Sequence, residues 1–239
     1  MAILEVIDAE KNFGGLKAIS KVSLSVPRGA ILGLIGPNGS GKTTLFNLIS
    51  GFLRLDAGVL RFNGEEISGL KAHERVLQGI TRTFQIVKPF RSLTVYENVK
   101  LGFLAKGGRE RDLNPRIEEI IESVGLKGME EEGASNLPLG NLKMLEIARS
   151  LATNPQLLLL DEVFGGLSHQ EVDVLSRVIR RVNELGVSII LVEHLMSEIV
   201  KLVQGIVVLN FGMKIAEGPA AEVFKNPEVI KAYLGDEDA

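Results

Sequence analysis

Two hydrophobic rhythms alternate along this chain. Residues 4–9, 22–26 and 59–62 switch between apolar and polar positions, the pattern of strands with one wet face, and predict an antiparallel sheet near the N-terminus. Residues 31–35, 157–160 and 188–192 are apolar almost throughout, as expected of strands covered on both faces of a parallel sheet. Residues 206–209 and 214–216 add two shorter strands, and Asn63-Gly64 marks a turn after the strand at 59–62. Helical spacing governs 42–49, 95–104, 116–124 and 142–152, with two short helices expected over 219–234 and a frayed acidic end, Asp236-Glu237-Asp238. Strand patterning is missing between about 86 and 155. The fold class predicted is therefore α/β, with a core formed by 1–85 and 156–239 and a helical insertion at 86–155.

The strand at 31–35 runs into Gly36-Pro37-Asn38-Gly39-Ser40-Gly41-Lys42-Thr43, followed by Thr44 and a helical stretch. G-x-x-x-x-G-K-T between a strand and a helix is a phosphate-binding loop. Its backbone N–H groups cradle phosphates, Lys42 reaches the β and γ oxygens, and the Thr43 hydroxyl is a ligand for Mg²⁺. The helix N-terminus adds a positive dipole. These features predict binding of a nucleoside triphosphate.

A second chemical cluster closes the apolar strand at 157–160, which ends in Asp161-Glu162. A buried strand would deliver Asp161 to the carboxyl edge of the sheet, where it can hold Mg²⁺ through water, while Glu162 can take a proton from an attacking water. The strand at 188–192 ends similarly in Glu193-His194, and His194 is placed to hydrogen-bond a γ-phosphate. Gln85 closes the run Gly79 to Gln85 at the border of the helical insertion, where its carboxamide could reach Mg²⁺ or the attacking water.

At 239 residues, with a net charge of −3, the chain can bury a full core and shows no broad nucleic-acid-binding face. It contains no cysteine, which excludes disulfides and thiolate metal sites. The N-terminus has no basic leader pattern, and no apolar run reaches the ~18 residues needed to span a bilayer. Work at a membrane would require another chain to supply the spans.

The phosphate loop, Gln85, helical insertion, Asp161-Glu162 and His194 resemble, in order and spacing, the nucleotide-binding subunits of ABC transporters. Asn12-Phe13-Gly14-Gly15-Leu16, Gly51-Phe52-Leu53, Thr81-Arg82-Thr83-Phe84-Gln85, Leu93-Thr94-Val95-Tyr96-Glu97-Asn98, Val192-Glu193-His194 and Ala232-Tyr233-Leu234-Gly235 are similar to the ATPases of branched-chain amino-acid importers. The resemblance implies a RecA-like P-loop core with an antiparallel β subdomain and an inserted helical subdomain. It also implies an ATP-hydrolysing subunit using Mg²⁺, peripheral on the cytoplasmic face of the membrane. Phe13 stands where the family places an aromatic on adenine, although packing is an alternative use for it. The implied partners are a second ABC ATPase in a head-to-tail dimer, identical or not, permease subunits docking in a groove near Gln85 and, indirectly, a solute-binding protein. No nucleic-acid partner is implied.

The chain departs from the family at three places. The signature usually reads L-S-G-G-Q, but here it is Leu137-Pro138-Leu139-Gly140-Asn141, so Leu139, Gly140 and Asn141 would face the partner's nucleotide without the serine hydroxyl. Loss of one such hydrogen bond to a charged group costs ~1.5–3 kcal/mol, or roughly ten- to a hundred-fold in closure. Val163 replaces a proline, and Ser168 replaces the aspartate of the D-loop. Pairing with a non-identical subunit would account for the altered signature and D-loop. Three other readings stay open: a lipid or lipopolysaccharide exporter ATPase, a soluble ABC-type switch and a P-loop GTPase.

Overall fold

The computed structural model describes residues 1–85, 87–107 and 113–234. Ile86, Gly235 and the acidic stretch 236–238 lie outside them. The chain forms two compact units, one made of Met1–Arg75 with the segment from Ser188 onward, the other of Val76–Val187.

The first unit holds two sheets. Strands β1 (Ala2–Phe13), β2 (Leu16–Pro27), β4 (Ala57–Phe62) and β5 (Glu65–Glu66) form an antiparallel sheet in the order β2-β1-β4-β5. Leu4, Val6, Ala9, Val22, Leu24 and Val26 are buried in it, as the alternating pattern predicts. Asn63-Gly64 makes the turn between β4 and β5. The second sheet runs β10-β9-β3-β8, with β3 (Ile31–Ile35) parallel to both β8 (Ser188–Val192) and β9 (Gly205–Asn210), and β10 (Met213–Gly218) antiparallel to β9. Every residue of β3 and β8 is buried. Ile35, Ile206 and Val208 pack with Ile199 of helix α7 (Met196–Leu202), Val223 of α8 (Ala220–Val223) and Val229 of α9 (Pro227–Leu234).

Helix α1 (Lys42–Ser50) follows β3 directly. Its C-terminus is held by the buried guanidinium of Arg75, which lies in α2 (Ala72–Gln78). Nη1 donates to the carbonyls of Leu48 and Ile49, Nε to Leu70 and Nη2 to Ser68. Burial pushes the Arg75 pKa down to about 10, so the group stays charged at neutral pH and complements the negative end of the α1 dipole.

In the second unit β6 (Ile80–Arg82) pairs in parallel with β7 (Leu157–Asp161), whose five residues are all buried. The unit also holds α3 (Val95–Ala105), α4 (Leu113–Ser123), α5 (Leu139–Leu151) and α6 (His169–Glu184), which pack on one another. Thr94 and Glu97 form a capping box on α3. Asn98, fully buried in α3, accepts from the Phe90 N–H and donates to the carbonyls of Phe90, Leu93 and Thr94, which fixes the loop entering the helix.

The strands predicted at 4–9, 22–26, 31–35, 59–62, 157–160, 188–192, 206–209 and 214–216 all form. Helix α5 starts a turn earlier than the spacing at 142–152 suggests, because Pro138 occupies its N-cap. Elements α2, α6, α7, β5 and β6 have no counterpart in the sequence reading. Arg75→Met should lower unfolding stability by about 2–4 kcal/mol, since it strips charge-assisted bonds from four carbonyls. Urea unfolding measures this, and an unchanged midpoint would refute the capping role.

Candidate nucleotide site

The loop between β3 and α1 depends on two glycines. Gly36 has φ 151° and Gly41 φ 105°. A Cβ on Gly36 would lie 2.1 Å from the Leu209 carbonyl oxygen, and one on Gly41 would lie 2.7 Å from that of Ala18. No L side chain fits either place. The loop rests on the β9–β10 turn: Gly212 donates to the Ser40 carbonyl at 3.0 Å, and Ser20 donates to the Gly212 carbonyl at 2.8 Å.

The Lys42 ammonium, on a residue only 6% exposed, donates to the carbonyls of Gly36 at 2.8 Å and Pro37 at 2.9 Å. Its positive charge therefore sits at the mouth of a ring of backbone. No side chain caps the N-terminus of α1, and its first turn contains no acid. Lys42, Thr43 and Thr44 thus present helix-start N–H groups suited to an anion. Thr43 is exposed and Thr44 half-buried, whereas Asn38 and Gly39 form the exposed rim beside Pro37. Tyr233 of α9 reaches Gly36; burial pushes its phenol up to about 12, against a hydrogen bond from the Gly36 N–H.

Phe13 ends β1, about half exposed, with the Lys11 ammonium 5.7 Å from its ring centroid. It lies outside the buried core, with the Lys11 ammonium over its ring. His194 lies just beyond β8 and is exposed, its N–H donating to the Glu193 carboxylate at 3.3 Å. Because β3 and β8 are parallel, His194 and the phosphate loop leave the first unit's sheet at the same edge.

In the second unit the parallel pair β6 and β7 brings the remaining predicted residues together. Thr83, fully buried just past β6, donates its N–H to the Leu159 carbonyl, and its hydroxyl accepts from the Asp161 N–H at 3.2 Å. This extends the ladder to the strand ends and aligns Gln85 with Glu162. Gln85 Nε2 donates to Glu162 Oε2 at 2.6 Å. Glu162 itself has φ 49°, a left-handed conformation uncommon outside glycine.

Asp161 forms a buried ion pair with Arg82, Nη2 to Oδ2 at 3.0 Å. Burial pulls the Arg82 pKa down while Asp161 pushes it up. The sequence reading assigned Arg82 no role. The available signal was its place immediately before Thr83, at the end of a strand that the reading also missed.

Phe84 and Phe90 line an open cavity of about 560 Å³, with Leu101, Glu146 and Arg149 among its other walls. Arg82 stacks on Phe84 at 4.8 Å and Arg149 on Phe90 at 4.7 Å. Glu146 is buried; one oxygen accepts the Phe84 N–H at 3.0 Å and the other has no partner. Burial raises its pKa above the usual carboxylate range, against that hydrogen bond and the charges of Lys143, Arg149 and Arg82.

The altered signature is the start of α5. Pro138 is its N-cap, no side chain caps it and its first turn has no acid, so the N–H groups of Leu139, Gly140 and Asn141 lie at a positive helix end. The Asn141 amide is turned onto the Met129 sulfur at 3.2 Å. Ser168 caps α6 in a reciprocal box with Glu171, and a Cβ at Gly140 would lie 2.9 Å from the Glu171 carboxylate and require it to shift. Serine at 168 thus keeps the helix start that an aspartate would also supply.

Among the described residues, no helix is long and apolar enough to cross a membrane, and no group of three or more His, Asp or Glu residues could hold a metal.

Comparisons with known proteins agree along the whole chain. Residues 19–165 match the ABC transporter family model, and residues 213–239 match the family described as branched-chain amino acid ATP-binding cassette transporter. The high-affinity branched-chain amino acid transport ATP-binding protein BraF of Pseudomonas aeruginosa is 38% identical, over 98% of each chain. A probable LivG of Archaeoglobus fulgidus is 37% identical over 100% of this chain and 98% of its own. Among solved structures, the ADP conformation of the ABC transporter cassette MJ1267 superposes with a TM-score of 0.90 at 30% identity, covering 99% of this chain and 100% of that one.

Two outcomes follow from the buried charges of the second unit. Arg82→Met should cost about 3–5 kcal/mol in denaturant unfolding, because Asp161 is left buried without its counter-charge; a loss below about 1 kcal/mol would show that the pair is dispensable. Glu146 has a folded pKa raised above its ordinary 4.5, so its ionisation opposes folding. That opposition is absent below the unfolded value and grows as pH rises through the window up to the raised value. Glu146→Gln should therefore become more stable relative to wild type as pH increases through this window; a pH-independent difference would contradict the shift.

Proposed function

Because the chain belongs to the ATP-binding subunits of ABC transporters and hydrolyses ATP to power one, we propose that its cargo is a branched-chain or similar hydrophobic amino acid, moved inward. The observation that supports this most strongly is whole-length similarity to importer subunits, joined to a match of the C-terminal segment to the branched-chain family. It favours import over the lipid-exporter reading.

The roles follow from the chemistry of each group. The backbone of Gly36, Pro37, Asn38, Gly39, Ser40 and Gly41 and the α1 N-terminus bind phosphates, with Lys42 supplying charge and Thr44 a helix-start donor. Phe13 stacks on adenine. Thr43, Asp161 and Gln85 offer hydroxyl, carboxylate and carboxamide oxygens, a donor set that fits Mg²⁺, an ion commonly held by one or two carboxylates along with phosphate and water. Bound there, Mg²⁺ would neutralise phosphate charge. Arg82 holds the Asp161 carboxylate in orientation. Glu162 is the general base for the attacking water, Gln85 orients its carboxylate through the 2.6 Å bond, and His194 steadies water and γ-phosphate.

Leu139, Gly140 and Asn141 bind the nucleotide of a second ABC ATPase in a head-to-tail dimer, through backbone N–H groups in place of the missing hydroxyl. The poor signature and Ser168 favour a non-identical partner. The cavity beside Phe84 and Phe90 takes a segment of a permease, and the subunit works peripherally at the inner face of the membrane. A binding protein delivers the cargo.

Glu162→Gln should keep ATP affinity and lose turnover by about a hundred-fold or more, since the amide cannot accept the proton. Lys42→Ala should instead weaken ATP binding itself. Cells carrying Glu162→Gln should lose uptake of labelled leucine, isoleucine and valine. Wild-type turnover in Glu162→Gln would remove the base assignment; wild-type uptake with turnover abolished would remove the cargo assignment.

A further inference from the structure

Lys143 has no part in the roles above, yet it is one of the most buried charges in the second unit. It lies in α5, two residues beyond the altered signature, and is 4% exposed. Its ammonium donates to the Glu162 carbonyl at 3.3 Å and to the Gln85 carbonyl at 3.5 Å. The side chains of these same two residues are bonded to each other at 2.6 Å. A closed ring therefore runs from α5 through one ammonium to two backbone carbonyls and across the Gln85–Glu162 bond.

Three features make this ring more than packing. A buried ammonium without acceptors is strongly disfavoured, so the two carbonyls determine where it sits. Glu162 has φ 49°, a conformation that a non-glycine residue keeps only when its surroundings impose it. Lysine is a donor-only point charge able to satisfy carbonyls from two separate segments at once. Glu146, three residues further along α5, supplies a compensating field.

We propose that Lys143 is a positioning residue for ATP hydrolysis. Its ammonium keeps the backbones of Gln85 and Glu162 in register with α5, so the helix that begins with the signature also sets the aim of the general base. The inference rests on Glu162 being that base.

The test compares the full-length chain with Lys143→Met, Lys143→Arg, Glu162→Gln and the Lys143→Met/Glu162→Gln double variant in steady-state Mg-ATP hydrolysis, with ATP binding and denaturant unfolding measured on each. Loss of charge-assisted bonds at a base-positioning site should lower kcat about ten-fold in Lys143→Met, leave KM within about two-fold and be largely rescued by arginine. In the Glu162→Gln background the methionine change should remove nothing further. Unchanged kcat in Lys143→Met would overturn the proposal. So would a KM that rises with the kcat loss in both the methionine and arginine variants, or a full additional loss in the double variant. If methionine prevents folding, Lys143→Gln serves the same comparison. Wild-type turnover in Glu162→Gln would sink the base assignment separately, whatever Lys143 does.

Discussion

The constraint on which the rest depends is the complete burial of β3, β7 and β8. Strands without a wet face need cover on both sides, which parallel pairing and helical connections provide. Such strands cannot carry polar groups along their length, so their chemistry collects where they end. The phosphate loop follows β3, Asp161 ends β7, and His194 stands just past β8. In each unit the reactive groups accordingly leave the sheet at the carboxyl edge, the usual place for ligands in α/β proteins.

Much of this was legible in the sequence because the signals were local. A glycine-rich octet between strand and helix, and an apolar run ending in two acids, announce themselves within ten residues. What escaped was either short or weakly apolar. Strand β6 has only three residues and β5 only two, too few to show a rhythm. Helix α6 was missed despite Val172, Leu175, Val178, Ile179 and Val182 at helical spacing behind a Ser168–Glu171 capping box. Ser168 stands both at the D-loop position and at a helix start, and only its hydrogen bonds with Glu171 show the second. Arg82 and Lys143 were invisible for a different reason: each acquires meaning from a partner far away in sequence, and no local pattern records such a pairing.

The second unit buries several charges, and each answers another. Arg82 faces Asp161, while Lys143, Arg149 and Arg82 together offset part of the cost of burying Glu146. Glu146 remains the least satisfied of them, with one oxygen lacking a partner at the wall of the cavity that holds Phe84 and Phe90. Buried polar networks fix one arrangement among many similar ones when fully satisfied. Here the network joins β6, β7 and α5, the three elements whose ends carry Gln85, Glu162 and the signature.

Pro138 gives the altered signature a property that its missing hydroxyl obscures. Its φ of −64° lies at the value the pyrrolidine ring imposes in any state of the chain. The turn that displays the N–H groups of Leu139, Gly140 and Asn141 is thus partly ordered in every state of the chain. A serine at that place would keep backbone freedom to be lost on any docking; a proline has little left to lose. What the missing hydroxyl takes away in bonding, the ring returns in part as motion that never has to be frozen.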